Sequence, residues 1–132
     1  QISRCIRDLA NRISRSFDLK QHILVIDDEM IVTQVLAQLL TRSSYKVTIA
    51  LNGQQGIELF RADPTDLAIV DVFMPEVDGI EVIRTLKAEN PATQFIAISG
   101  GAIRGEGDCL PEALEVGASY TSGKPIETLL GF

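Results

Sequence analysis

The stretch Leu67–Ile83, LAIVDVFMPEVDGIEVI, changes its period half-way along. Leu67–Val70 is a short, β-branched apolar run closed by one carboxylate, Asp71, which reads as a buried strand. From Ile80 the apolar positions recur at helical spacing, Ile80, Ile83 and Leu86, and the pattern stops before Pro91. A strand ending on an acid, a short turn and a helix make half of a parallel β-α-β unit. The fold then depends on whether the rest of the chain repeats it.

It does. His22–Ile26 (HILVI), Lys46–Ala50 (KVTIA) and Gln94–Ile98 (QFIAI) are further strand-like runs, and a last strand is expected around Ala118–Ser122. Between them, Ile31, Val35 and Leu39, with Val32, Leu36 and Leu40 beside them, are expected to build one apolar helix face, with Thr33, Gln34 and Gln38 facing away. Ile57 and Phe60 anchor a second helix that stops before Pro64, and Pro111 suits the first turn of a fourth. Strict alternation of strands and helices with short connections requires right-handed crossovers and a parallel sheet covered on both faces. The fold class is therefore α/β, with an open, doubly wound, five-stranded parallel sheet.

Composition agrees with a single globular core: 132 residues, 45% hydrophobic and 23% charged. No apolar run approaches the roughly 20 residues of a membrane-spanning helix, and residues 1–19 lack the apolar centre of a signal peptide. Cys5 and Cys109 are too few and too separated for a disulfide framework or a zinc site, which points to a reducing cytoplasm. Residues 1–20 hold five basic and two acidic side chains, net +3, so the rest of the chain carries −9 of the total −6. An acidic body argues against a DNA-binding surface on the main domain and suits cations or protein partners.

In a doubly wound sheet the site lies at the carboxyl ends of the strands. Those ends carry Asp27-Asp28-Glu29, Asp71, Ser99-Gly100-Gly101 and, beyond the fifth strand, Lys124-Pro125. Crowded aspartates repel, and a divalent cation with oxygen ligands, such as Mg2+, relieves that repulsion. One carboxylate could act as a nucleophile toward phosphorus, giving an acyl phosphate. The metal, Lys124 and the Ser99 hydroxyl would each take a phosphoryl oxygen. Singly, each residue has an ordinary reading: paired acids cap helices, and Ser-Gly-Gly makes turns. Their joint placement carries the inference.

The motifs LVIDDE, IVDVFMPEVDGIEV, IAISG and GKP, in this order and spacing, resemble the receiver domain of bacterial two-component response regulators over roughly residues 21–130. The resemblance implies a flavodoxin-like (βα)5 receiver over residues 21–132, preceded by residues 1–20 as an amphipathic basic helix or linker. It implies Asp71 as phosphoacceptor, Asp28 as a direct Mg2+ ligand, Asp27 holding the metal mainly through water, and the Phe73 backbone carbonyl as a further ligand. Ser99 and Lys124 would hold phosphoryl oxygens, and Pro125 matches a proline often preceded by a cis bond. The implied partner is a sensor histidine kinase or histidine phosphotransfer protein. The chain would be a signalling domain rather than an enzyme, assisting its own phosphorylation and dephosphorylation. The alternative is a phosphorylation-independent pseudo-receiver acting as a protein-binding module.

Other phosphate chemistries fit less well. A haloacid dehalogenase-type phosphatase wants a second Asp two residues after the nucleophile, where Phe73 stands. Within GASYTSGKPI, Gly117–Ile126, a P-loop would need Gly at Ala118 and Ser or Thr at Pro125. A flavodoxin-type cofactor loop would be rich in hydroxyls, whereas this chain has DDEM after its first strand.

Three departures from the receiver pattern stand out. The aromatic of the switch is expected at Thr121, whereas Tyr120 sits one residue earlier, on the opposite strand face unless a bulge intervenes. The loop Gly100–Asp108 is long and rich in glycine, which suggests a mobile or partner-specific element. Phe73 and Gly101 offer no polar side chain to orient an attacking water, so autodephosphorylation is expected to be slow.

At the amino end, Ile2, Ile6, Leu9, Ile13 and Phe17 recur at helical spacing opposite Arg4, Arg7, Arg12 and Arg15. Residues 1–19 are a candidate homodimerisation helix, the tail of an upstream module, or a helix packed on its own domain. Binding to a membrane surface ranks below these, because the apolar face has little bulk. The closing KPIETLLGF is short for the fifth helix of a receiver, and the amino-terminal helix could fill the groove that helix would cover.

Overall fold

The computed structural model describes residues 22–42, 44–74, 77–99 and 110–123. Strands and helices alternate: β1 (His22–Ile26), α1 (Met30–Arg42), β2 (Lys46–Ala50), α2 (Gly53–Ala62), β3 (Leu67–Asp71), α3 (Gly79–Glu89), β4 (Gln94–Ser99), α4 (Leu110–Val116) and β5 (Tyr120–Gly123). The amino-terminal segment 1–20, the loop 100–109 and the Lys124-Pro125 pair lie outside the described residues.

Every strand pairing is parallel, in the order β2-β1-β3-β4-β5. The chain steps outward from β1 to β2, then returns to place β3 on the other side of β1. The winding direction therefore reverses at β1/β3, and the carboxyl ends of those two strands border the crevice that such a reversal opens.

Side-chain alternation splits the core in two. Leu24, Ile26, Ala68, Val70, Phe95 and Ala97 point toward α2, α3 and α4, where Phe60 and Phe95 meet with ring centroids 6.4 Å apart. Ile23, Val25, Leu67, Ile69, Ile96 and Ile98 lie on the opposite face with Val32, Leu36 and Leu40 of α1. Both faces of the three inner strands are thus apolar, which is why they read as continuous hydrophobic runs.

The buried stripe of α1 differs from the expected one. It consists of Val32, Thr33, Leu36 and Leu40, whereas Ile31 is 64% exposed and Val35 and Leu39 are half-buried. Two adjacent apolar stripes at the same period satisfy the sequence equally well; contact with β1 and β2 selects one. Thr33 is tolerated inside because its hydroxyl donates to the Met30 carbonyl at 2.9 Å.

Helix starts are capped by side chains. Asn52 accepts the Gln55 amide at 2.8 Å while Gln55 Oε1 accepts the Leu51 amide, and Asp78 accepts the Glu81 amide at 3.0 Å. Asp78→Ala is expected to cost about 1 kcal/mol, read as a lower urea midpoint with an unchanged slope. Helix α4 ends at Gly117, whose φ of +124° favours glycine and lets the Ala118 amide reach back to the Ala113 carbonyl at 3.0 Å.

At the amino end of the sheet, His22 shares a 2.7 Å hydrogen bond with Thr48 Oγ1 and lies 3.7 Å from Asp63. Burial pushes its imidazole below the ordinary 6.5, against the pull of Asp63 and Asp66 and with a smaller push from Lys46. A depressed histidine pKa means that the unfolded chain takes up a proton the folded chain resists. Stability is then expected to fall as pH drops below about 6.5 and to level off beneath the folded value. In His22→Gln, denaturation midpoints measured across this range should lose that component.

Candidate functional site

The first strand delivers its acids through a simple change of environment. Ile23–Ile26 are buried on both faces, so β1 continues straight into Asp27, whose amide is held by the Ala50 carbonyl at 3.1 Å. Asp27 is fully buried. Its Oδ1 accepts the Glu29 amide at 2.9 Å, closing a tight turn that leaves Asp28 and Glu29 exposed before α1 begins.

Asp71 ends the neighbouring strand and is also fully buried. The ladder continues one residue further through the Val72 amide, which donates to Ile98 at 2.9 Å, and Asp71 Oδ1 accepts the Phe73 amide at 3.0 Å. The chain then folds back so that α3 starts directly over the strand end. At Gly79 there is no room for a side chain: a Cβ would stand 2.1 Å from the Asp71 carbonyl oxygen and 2.6 Å from Val72 Cα.

Because β1 and β3 are adjacent, residues far apart in sequence converge. Carboxylate oxygens of Asp27, Asp28, Glu29 and Asp71 all lie within 4.8 Å of one another. Ser99 closes β4, the next strand over, and is 7% exposed. Phe73 is half-buried against the core beneath α2, α3 and α4. Lys124 falls outside the described residues. Of the expected site residues, the fold brings the three aspartates together and sets Ser99 on the adjoining strand end.

Glu29 is the member of this cluster to which the sequence pattern assigns no role. Its signal is the unbroken acidic run after β1; what the run does not reveal is that a turn at Asp27 brings all three side chains to one place.

Strand β5 carries a plain register. Thr121 pairs with Ala97, Gly123 with Ser99 and Tyr120 with Ile96. No extra residue interrupts the pairing between Tyr120 and Gly123.

The sequence pattern of the response regulator receiver domain matches residues 23–129 of this chain. The chain belongs to that family. As a receiver it is 33% identical over 108 residues to the regulatory protein VirG of Rhizobium rhizogenes, covering 82% of this chain and 44% of that protein. Among solved structures, the CheY-like receiver domain protein of Methanospirillum hungatei JF-1 superposes with a TM-score of 0.73 at 23% identity, covering 81% of this chain and 83% of that one. A Burkholderia pseudomallei response regulator, solved with a phosphorylated aspartic acid, calcium ion and citrate, superposes with a TM-score of 0.71 at 25% identity over 83% of this chain and 64% of that one. The receiver spans less than half the length of the first curated relatives it matches. Among its described residues no helix is long and apolar enough to cross a membrane.

Proposed function

We propose that this receiver accepts a phosphoryl group on Asp71 from a phosphohistidine of a sensor kinase or phosphotransfer protein, with Mg2+ held by the surrounding acids. The observation that carries the reading is the packing of two fully buried aspartates, Asp27 and Asp71, with Asp28 and Glu29 within 4.8 Å. Burying like charges side by side is costly unless a cation neutralises them. Hard carboxylate oxygens suit magnesium or calcium, and Asp27, Asp28, Asp71 and the Phe73 carbonyl are the groups assigned to hold it. The calcium ion and phosphorylated aspartate of the Burkholderia protein lend support by analogy.

The chemistry of the chain's own groups follows. An Asp71 carboxylate oxygen attacks phosphorus; an O–P bond forms as the P–N bond to the donor imidazole breaks, and the imidazole nitrogen leaves with the electron pair and takes up a proton. The Phe73 amide, bonded to Asp71 Oδ1, helps to keep the carboxylate oriented for the attack. The Ser99 hydroxyl and the Lys124 ammonium are assigned to the phosphoryl oxygens. When bound, the cation neutralises charge on the acids and the incoming phosphoryl group. The signal then passes through altered protein contacts. Thr121, which pairs with Ala97, stands at the position assigned to the switch, and Tyr120 precedes it by one residue.

Incubation of the full chain with acetyl phosphate and MgCl2, followed by intact mass, tests the reading. One phosphoryl addition that requires the cation and is released by hydroxylamine is expected. Failure to form any adduct, with acetyl phosphate or with a phosphorylated donor protein, would favour the pseudo-receiver.

A further inference from the structure

Resting on Asp71 as the phosphoacceptor, we infer that the turn between β2 and α2, Ala50–Gly53, braces the phosphorylation site from outside, with Gly53 as a positioning residue for phosphoryl transfer. The turn supplies no carboxylate, hydroxyl or ammonium. It nevertheless touches both segments that bear the buried aspartates. On one side the Ala50 carbonyl holds the Asp27 amide at 3.1 Å. On the other, Gly53 lies against the connection between β3 and α3. A Cβ at Gly53 would stand 2.5 Å from the Val77 carbonyl oxygen, 3.0 Å from Val77 Cβ and 3.1 Å from Val82 Cγ2.

Both partners in that contact are held. Asn52 accepts the Gln55 amide and Gln55 Oε1 accepts the Leu51 amide, each at 2.8 Å, so the turn is tied to the first turn of α2. Across from it, Val77 packs on the core, Asp78 caps α3, and the Gly79 amide meets the Val72 carbonyl at 3.3 Å, closing the connection at its base. Phe73 lies within this closed connection, and its amide is bonded to Asp71 Oδ1 at 3.0 Å. Close-packed interiors transmit strain because they hold few voids to absorb it. A push on the Val77 carbonyl therefore reaches Phe73 and the carboxylate that Phe73 orients. Phosphoryl transfer is sensitive to such a push, since a misplacement of about 1 Å can cost about 100-fold in rate.

Gly53→Ala adds one methyl group to the brace and leaves every reacting group in place. Gly117→Ala is the control, because its φ of +124° and the Lys87 stem, 2.7 Å from the added Cβ, strain the fold at the end of α4, where the chain enters β5. Two readouts are taken on the full chain at a temperature where urea titration shows each variant folded. One is the initial rate of acetyl phosphate labelling with MgCl2, by intact mass; the other is the Phe73 amide proton resonance, which reports the bond to Asp71 without any phosphoryl donor. In Gly53→Ala, labelling about tenfold slower and a shifted Phe73 resonance are expected; in Gly117→Ala, a lower urea midpoint with both readouts as in the wild type. Should Gly53→Ala not fold, Gln55→Ala loosens the same turn without adding an atom, and a shifted Phe73 resonance is expected there too. A wild-type rate and resonance in the folded turn variant would overturn the brace, and so would equal slowing in Gly117→Ala. An unlabelled wild type would overturn the phosphoacceptor reading instead, and the Phe73 resonance would then decide the brace alone.

Discussion

No phosphoryl adduct is expected on Asp71→Asn under conditions that modify the wild type to near completion. The amide has almost the shape of the carboxylate, so its oxygen can still accept the Phe73 amide and the β3 ladder stays intact. It lacks the anionic oxygen that attacks phosphorus, and with it the nucleophilic strength the reaction needs. The fold should not suffer. A neutral side chain in that buried position lowers the repulsion felt by Asp27, and the cation-free variant is expected to be folded at temperatures where the wild type is. Parallel intact-mass and thermal measurements check both halves. An adduct of equal yield on the variant would place the phosphoacceptor elsewhere.

Gly79→Ala is expected to be the most damaging single methyl group among the described residues. Most overpacked sites relieve strain by moving a flexible side chain, at a cost of about 1–3 kcal/mol. Here the new Cβ would meet backbone, at 2.1 Å from the Asp71 carbonyl oxygen and 2.6 Å from Val72 Cα. Either the start of α3 lifts away, losing the Asp78 cap and the packing of Ile80 and Ile83, or the end of β3 shifts and carries Asp71 with it. A loss of about 3 kcal/mol or more follows, together with slower phosphorylation in whatever fraction remains folded. Urea unfolding and acetyl phosphate labelling read the two effects, and a wild-type midpoint would refute the close approach.

Much of the site is legible in the order of the residues alone. Asp71 closes an apolar β-branched run and Ile80 opens a helical one, and both readings depend only on neighbours in sequence. The same local logic fails on α1, where Ile31 and Leu36 fit the helical period equally well. Ile31 is 64% exposed and Leu36 fully buried, because the choice between the two stripes is made by the sheet surface beneath. Glu29 escapes for a related reason. An acidic run says which side chains leave the strand, whereas the turn closed by its amide on Asp27 says where they arrive.

The residues by themselves, then, determine the alternation of strands and helices, the acids at the strand ends and the one-residue offset of Tyr120. Each of these follows from spacing along the chain, which the backbone's periods of 2 and 3.6 convert directly into geometry. The tertiary structure decides the strand order β2-β1-β3-β4-β5 and with it the meeting of Asp27 and Asp71. It also decides which face of α1 is buried and why no side chain is tolerated at Gly79. Those outcomes rest on contacts between segments far apart in the chain, where packing of complete elements, and no local preference, selects among arrangements that the sequence pattern leaves equivalent.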